Sequence, residues 1–201
     1  EANYVYHERT TADPGCGGNY VTTLNPSSAQ TYPLRFKVEF QFFTDNVRVY
    51  YTTNGSTPGG TFGVGNVGTL VLAASYVCTF GGPVVDVASA TIPAQPPGTV
   101  VKYIVSAWHS GGGAEVFANG PGAPCSGCGA LTTNSTLATV FQYTVGSTTD
   151  LYWDINGATA GAGGATPSGT WDTAPSTWST VFDGTVTNGV WTAGRNAIFS
   201  A

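Results

Sequence analysis

Alternation of hydrophobic and polar residues is the strongest local pattern in the chain. From Leu34 to Phe43 an apolar side chain occupies every second position, and the positions between them include Arg35, Lys37 and Glu39. A period of two is typical of a β-strand with one buried and one solvated face. No segment of comparable length shows apolar residues at helical spacing. The pattern therefore predicts an all-β protein.

Turn-forming residues divide the chain into short strand segments. Breaks are predicted at Asp45-Asn46, at Asn54-Gly55 and at Gln95-Pro96-Pro97-Gly98. The predicted strands are Tyr4–Tyr6, Leu34–Phe43, Val47–Tyr51, Leu70–Phe80, Val84–Ile92, Val100–Trp108, Glu115–Ala118 and Leu137–Val145. About seven or eight strands at this spacing are typical of an immunoglobulin-like or fibronectin-type-III-like sandwich.

The composition changes near residue 147, and this change predicts a second domain. Trp153, Trp171, Trp178 and Trp191 follow it among Gly, Ala, Thr and Ser, and Gly157–Gly169 has the composition of a loop or linker. We predict a β-sandwich over residues 1–146 and a small Trp/Gly-rich β-module over 147–201. Each Trp is expected to pack into a small apolar cluster under a Gly-rich turn.

Low charge narrows the class of protein. Charged residues make up 8% of the chain, and the net charge is −5, whereas about 25% charged residues is usual. A nucleic-acid binder needs a basic face, and a helical bundle needs charged exposed faces, so both classes are excluded. The 41% of hydrophobic residues is sufficient for a core. No apolar run approaches the roughly 20 residues of a membrane helix.

Two counts indicate the compartment. The chain has no Met, so Glu1 is expected to follow a removed signal peptide or to lie at an expression boundary, and Ala201 need not be a natural end. Four Cys in a chain of this composition predict two disulfides and an oxidising environment. Secretion is therefore expected.

Cys125-Ser-Gly-Cys128 is a C-x-x-C sequence, for which a redox pair, half of a zinc site and a structural disulfide are alternatives. Loop-forming residues flank it, which favours the disulfide. We expect Cys125–Cys128 as a local link and Cys16–Cys78 as a long-range one, although four Cys allow three connectivities. No cofactor is expected.

The candidate catalytic residues are sparse. His7 and His109 are the only histidines, and no sequence signal marks an orienting carboxylate or an oxyanion hole beside either. Structural or surface roles are favoured for both. We therefore predict that the protein is not an enzyme.

Asp150, Asp154 and Asn156, followed by Gly157, suggest a calcium loop. The segment lacks the alternating ligands and the terminal Glu of an EF-hand, so turn formation is the favoured interpretation.

Other candidate binding features are weaker. Asn54 and Asn134 begin N-glycosylation sequons. Tyr50, Tyr51, Trp108 and the C-terminal Trp residues are candidates for a sugar-stacking platform, and core packing is the favoured alternative for each.

Two segments resemble known families. Val47–Pro58 together with Gly98–Ala107 resembles fibronectin-type-III-like accessory modules of bacterial secreted proteins. Leu151–Asp154, Gly169–Asp172, Trp178-Ser179 and Trp191–Phe199 together are similar to the autotransporter-associated β-strand repeat of bacterial surface proteins. The resemblances imply a surface or extracellular setting and carry no catalytic residue over to this chain.

Shortage of Lys leaves the predicted strand edges without their usual charged protection, and Leu70–Phe80 contains no charge at all. The apolar terminal strands are candidate assembly elements, comprising Tyr4, Val5 and Tyr6 at one end and Ala197, Ile198 and Phe199 at the other. We expect a secreted structural protein that self-associates, with strand exchange between copies giving filaments. The alternative is a carbohydrate-binding or adhesion module cut from a larger surface protein, with a polysaccharide partner.

Overall fold

The fold is given by a computed structural model, which describes residues 4–27, 30–38, 44–78, 86–119, 131–146, 150–163, 169, 176–191 and 195–199. In these ranges the regular structure is β-strand apart from one 3-10 turn, so the predicted all-β class is confirmed. None of the described elements is a helix of the length and hydrophobicity that crossing a membrane requires. Two compact units are present. Unit 1 comprises Glu1–Leu24, Thr31–Pro93 and Thr99–Tyr143, and unit 2 comprises Asn25–Gln30, Ala94–Gly98 and Thr144–Ala201.

Twelve described strands precede residue 147. They are β1 (Val5–Tyr6), β2 (Tyr32–Val38), β3 (Asn46–Thr52), β4 (Gly60–Thr61), β5 (Val64–Gly65), β6 (Leu70–Ala73), β7 (Ser75–Cys78), β8 (Asp86–Ile92), β9 (Val100–Trp108), β10 (Val116–Ala118), β11 (Leu131–Thr132) and β12 (Phe141–Thr144). One sheet has the order β1-β2-β8-β7. The other has the order β11-β10-β9-β3-β6, and β12 also pairs with β9. These orders match the A-B-E-D and G-F-C arrangement of immunoglobulin-like sandwiches.

The alternation in β2 explains its place in the sandwich. Leu34, Phe36 and Val38 are fully buried, and the residues between them are only partly buried. Strand β2 pairs antiparallel with β8 along its whole length, from Tyr32↔Ile92 to Val38↔Asp86. Strand β9 is the middle strand of its sheet, and seven of its nine residues are buried, so both of its faces are covered.

The structure corrects two predicted strands. Leu70–Phe80 was expected to be one strand, but its described part forms β6 and β7, which belong to different sheets and meet at Ala74. This run has no charged residue, and Ser75 and Thr79 are its only hydroxyl side chains outside Tyr76, so alternation gave no clear sign of the switch. Leu137–Val145 begins instead with a 3-10 turn, Ser135–Leu137, because the side chain of Asn134 caps it by accepting the N–H of Thr136.

Unit 2 contains a small three-stranded sheet. Strand β13 (Asp150–Trp153) pairs antiparallel with β14 (Trp178–Ser179) and parallel with β15 (Asn196–Ile198). Trp178 lies at the centre of an aromatic cluster, with ring centroids 5.3 Å from Trp153 and 4.8 Å from Trp191. The predicted packing of Trp into a small apolar cluster is therefore confirmed for these three residues. Trp171 lies outside the described residues.

Candidate functional site

Strands β6 and β7 together form one side of the sandwich. Strand β6 ends the order of its sheet, and β7 ends the order of the other. The two strands are consecutive in the chain, and the N–H of Ala74 between them donates to the carbonyl of Val47 at 3.0 Å. A single segment, Leu70–Cys78, is therefore the edge of both sheets. We call it the shared edge.

The backbone of β6 presents hydrogen-bonding groups away from its partner. In an antiparallel ladder, residues whose N–H and C=O face the partner strand alternate with residues whose groups face outward. The bond from Ala74 to Val47 sets the alternation, because Ala73 is opposite Arg48 in the register. The N–H and C=O of Val71 and Ala73 therefore point outward, where the described residues place no further strand.

Little in the shared edge protects it against pairing with another chain. The segment Leu70–Cys78 contains no charged residue and no Pro, which are the usual protections of an exposed edge. One protective feature is present, an irregular register between Tyr76 and Cys78 where β7 pairs with β8. The β6 half has a regular ladder to β3 and is the more open template.

Exposed apolar side chains lie beside this edge. Strands β4 and β5 form a hairpin, and the turn after it leads directly into β6. The exposed apolar residues of this part of the chain are Phe62, Val64, Val67 and Leu70. Each is half-exposed or more. We call these four residues the apolar patch.

A buried carboxylate fixes the hairpin that carries the patch. Glu115 is 2% exposed, and its Oε1 accepts the hydroxyls of Tyr50 at 2.7 Å and Ser106 at 2.6 Å. Its Oε2 accepts the backbone N–H of Phe62. The hydroxyl of Tyr50 also accepts the N–H of Gly63 at 2.7 Å. Burial, together with the hydrogen bond to Glu115, raises the pKa of Tyr50 well above its usual value.

The hairpin tip has the backbone of a type I′ turn, since Phe62 (φ 47°) and Gly63 (φ 79°) are both left-handed. Two contacts offset the unfavourable left-handed backbone of Phe62. Its N–H donates to Glu115, and the edge of its ring packs against the Trp108 ring, with 5.7 Å between the centroids. The guanidinium of Arg48 lies 5.2 Å from the same ring. Trp108 is thus largely covered, and the apolar patch is held in a fixed position.

The terminal strands proposed for assembly are paired within their own chain. Val5 and Tyr6 pair with Val38 and Lys37, and Tyr4 is buried with them. In unit 2, Ala197 and Ile198 pair with Leu151 and Tyr152. The ring of Phe199 lies 5.9 Å from that of Trp153. Exchange of either strand between copies would require its release from these partners.

His7 belongs to a series of hydrogen bonds that runs from the carbonyl of Arg35 to the guanidinium of Arg9. Its Nδ1 donates to the carbonyl of Arg35 at 2.7 Å, so Nε2 is the acceptor for the hydroxyl of Tyr103 at 2.8 Å. The hydroxyls of Tyr103 and Tyr32 are 3.4 Å apart, and Nε of Arg9 donates to Tyr32 at 3.3 Å. Burial lowers the pKa of His7 to about 4. Every side-chain polar atom of His7, Tyr103, Tyr32 and Arg9 has a hydrogen-bond partner, which supports a structural role for His7.

His109 lies apart from this network. Its Nδ1 is 3.5 Å from the Asp45 carboxylate at the surface. Within the ranges that the structure describes, no three His, Cys, Asp or Glu side chains are grouped as a metal centre of those residues would require.

A polar cleft lies beside the predicted long-range disulfide. Cys16 and Cys78 are bonded in the structure, whereas Cys125 and Cys128 lie outside the described residues. The Cys16 loop runs at positive φ and is closed by Asp13, whose Oδ1 accepts the N–H of Gly15 at 2.8 Å. The cleft has a volume of about 520 Å³ and is lined by Asp13, Gly17, Gly18, Asn19, Thr22, Pro33, Arg35 and Ser89.

Gly18 allows this arrangement because a Cβ there would overlap the guanidinium of Arg35. The same guanidinium donates to the carbonyl of Cys16 at 3.4 Å. Carboxylate, amide, hydroxyl and guanidinium groups therefore line one concave surface, the combination of donors and acceptors that suits a polar ligand.

The remaining candidate residues are the aromatics suggested for sugar stacking and the two asparagines of the glycosylation sequons. Tyr50, Tyr51 and Trp108 are buried, so core packing is the correct interpretation for these aromatics. Asn54 and Asn134 are exposed, and in each the side-chain oxygen accepts the hydroxyl two residues later, at 2.6 Å from Ser56 and 2.8 Å from Thr136.

Sequence reasoning missed Glu115 and Phe62 as site residues. Glu115 is the only acidic residue between Asp86 and Asp150. A single acidic residue directly before an apolar strand segment was the sequence signal that could have indicated a buried carboxylate. No protein-family model matches the chain and no curated protein matches it, so the contacts described above are the basis on which a function is proposed.

Proposed function

We propose that the protein is a secreted, non-enzymatic structural component of the bacterial cell surface or extracellular matrix, whose copies associate through the shared edge. The observation that carries this proposal is the outward-facing backbone of Val71 and Ala73 on an edge without charge. A second strand placed there would satisfy these groups, as in strand addition to a sheet. The disulfide Cys16–Cys78 suits the oxidising setting.

The geometry of pairing determines the assembly. If the shared edge pairs with itself, the contact closes and gives a dimer. If it pairs with the opposite edge of the next copy, formed by β1 and β11, both sheets continue from copy to copy and the contact repeats as a filament. The fixed apolar patch beside β6 adds burial of apolar surface to either contact.

A matched pair of substitutions tests the edge. Leu70→Lys places a charge on β6, whereas Val67→Lys makes the same change in the turn before it. Electron microscopy and light scattering at rising concentration should show association of the wild-type protein and of V67K, and its loss in L70K. Wild-type protein that remains monomeric at millimolar concentration would rule the proposal out. Equal loss in both variants would assign the contact to the apolar patch and not to strand pairing.

The polar cleft favours a second function, carbohydrate binding or adhesion. Its lining groups are hydrogen-bonding side chains of the kind that recognise sugar hydroxyls. Retention of the wild-type protein on immobilised polysaccharides, reduced by Asn19→Ala and unchanged by Asn54→Ala, is the expected result. Retention that is the same for both variants, or absent for the wild type, excludes the cleft as a sugar site.

A further inference from the structure

Unit 2 contains a buried carboxylate whose bonding is incomplete. Asp154 directly follows β13 and is 1% exposed. Its backbone N–H donates to the carbonyl of Thr177 at 2.9 Å, which fixes its position. Oδ1 accepts the N–H of Asn156 at 3.0 Å. Oδ2 is buried and has no hydrogen-bond partner.

Two amide oxygens close to Asp154 share this condition. Asn156 is bonded to the carboxylate through its backbone, and Nδ2 of Asn188 donates to the backbone carbonyl of Asp154 at 2.8 Å. Oδ1 of Asn156 and Oδ1 of Asn188 are both buried without a partner. Asp154 and the two Asn residues hydrogen-bonded to it thus each have one unpartnered side-chain oxygen.

Gly184 keeps space open beside the carboxylate. Its φ is +66°, and a Cβ at this position would lie 2.6 Å from the carbonyl oxygen of Gly161 and 2.9 Å from Oδ2 of Asp154. Both oxygens therefore face the same place. A cavity of about 10 Å³ lies here. It is lined by Asp154, Gly161 and Gly184 together with Tyr152, Trp153, Ala162, Val181 and Phe182, whereas Asn156 and Asn188 lie outside this lining. This volume is close to that of a single ion or water molecule.

The charge of Asp154 needs compensation that the described residues do not supply. A buried carboxylate is strongly disfavoured unless it is paired or coordinates a metal. Among the described side chains the only ion pair is His109 with Asp45, in unit 1. Oδ2 of Asp154 and the carbonyl oxygen of Gly161 lie at the cavity, and the amide oxygens of the adjoining Asn156 and Asn188 are unpartnered. Such oxygen donors are those that Ca²⁺ prefers.

The structure also changes the residues suggested by the sequence. Asp150, the first residue of the suggested calcium loop, uses Oδ1 to accept Nδ2 of Asn196 at 2.8 Å, next to the pairing of β13 with β15. Asn188, which lies far from the loop in sequence, takes its place beside Asp154. Only the fold brings this residue to the site.

We propose that this cavity binds a divalent cation of the Ca²⁺ class through Oδ2 of Asp154 and the carbonyl of Gly161, with Asn156 and Asn188 as neighbouring residues able to supply further oxygen donors. The cation neutralises the buried carboxylate. It thereby links the end of β13 to the segment that contains Gly184 and Asn188. Unit 2 is consequently more stable with calcium than without it.

Calcium and terbium provide the direct test on the full chain. After treatment with EDTA, the thermal unfolding midpoint followed by Trp fluorescence should rise by at least about 3 °C in millimolar CaCl₂. Terbium should give luminescence sensitised by the neighbouring Trp153, and Ca²⁺ should displace it. Asp154→Asn should abolish both responses. Asp183→Asn is the matched control, because Asp183 lies in the same unit and its Oδ1 already accepts the N–H of Thr185 at 3.2 Å.

Measurements on the wild-type protein alone decide whether the cavity binds calcium, whether or not D154N folds. An unfolding midpoint that is unaffected by CaCl₂, with no sensitised terbium signal, would show that the cavity holds only water and would overturn the proposal. Equal loss of the calcium response in D154N and D183N would also overturn it, because the effect would then not be specific to Asp154. Retention of the response in D183N with its loss in D154N supports it.

Discussion

Two buried carboxylates, Glu115 in the sandwich and Asp154 in unit 2, differ in how completely their oxygens are hydrogen-bonded. In the sandwich, Glu115 receives three hydrogen bonds, and both ring nitrogens of His7 are bonded. In unit 2, Asp154 is equally buried but one of its oxygens has no partner. A saturated buried group is explained by the chain itself, whereas an unsaturated buried carboxylate requires a further partner such as a bound water or ion. The comparison separates structural polar groups from a candidate binding site.

Removal of Glu115 should be the most damaging change. Glu115→Leu leaves the hydroxyls of Tyr50 and Ser106 and the N–H of Phe62 without an acceptor, so we expect a loss of about 3–5 kcal/mol in the free energy of unfolding. Urea titration measures it. Glu115→Gln keeps the Oε1 acceptor and should lose less. If E115L were as stable as the wild type, saturation would not be what stabilises this part of the sandwich.

Loss of the disulfide should have the next largest effect on the sandwich. Cys16→Ser with Cys78→Ser opens a link with a sequence separation of 62 residues, and closure of a loop of this size stabilises a protein by up to about 4 kcal/mol. The urea midpoint of the double variant should fall accordingly. A midpoint equal to that of the wild type would mean that other contacts already hold the Cys16 loop.

The pH dependence of stability tests the buried histidine. The folded pKa of His7 is about 4, below its unfolded value of 6.5. The contribution of neutral His7 is therefore complete above pH 6.5 and is lost as pH falls towards 4. Between these limits the slope is about 1.4 kcal/mol per pH unit, or about 3 kcal/mol in total. His7→Gln, which does not titrate, should flatten the profile between pH 4.5 and 7. An unchanged slope would contradict the assignment.

Asp154→Asn in EDTA should have the smallest effect, and here the two units differ most clearly. Substitution removes an uncompensated buried charge, so stability should stay within about 1 kcal/mol of the wild type or increase. Urea titration in EDTA, beside E115Q as the counterpart in the sandwich, measures the difference. A loss comparable to that of E115L would show that Asp154 is already satisfied without a cation.

The sequence allowed the fold class to be predicted because alternation in β2 and the spacing of turns are local properties. It could not reveal the split at Ala74, since an uncharged segment shows no change of pattern when it passes from one sheet to the other. The roles of Asn188 and Glu115 could not be predicted from the sequence for a related reason. Each acts through residues distant in the chain, which only the tertiary fold brings into contact.

The placement of the few basic residues affects how the chain would survive digestion. Trypsin cleaves after Lys and Arg, and of the six such residues Arg35, Lys37, Arg48 and Lys102 lie in β2, β3 and β9. Each of these strands has a neighbour on both sides. A protease must pull its substrate into an extended, unpaired form, so these bonds become available only when the sandwich opens. Arg9 and Arg195 lie outside strands, so cleavage after the four strand residues, and not the total rate of digestion, reports how often the sandwich opens.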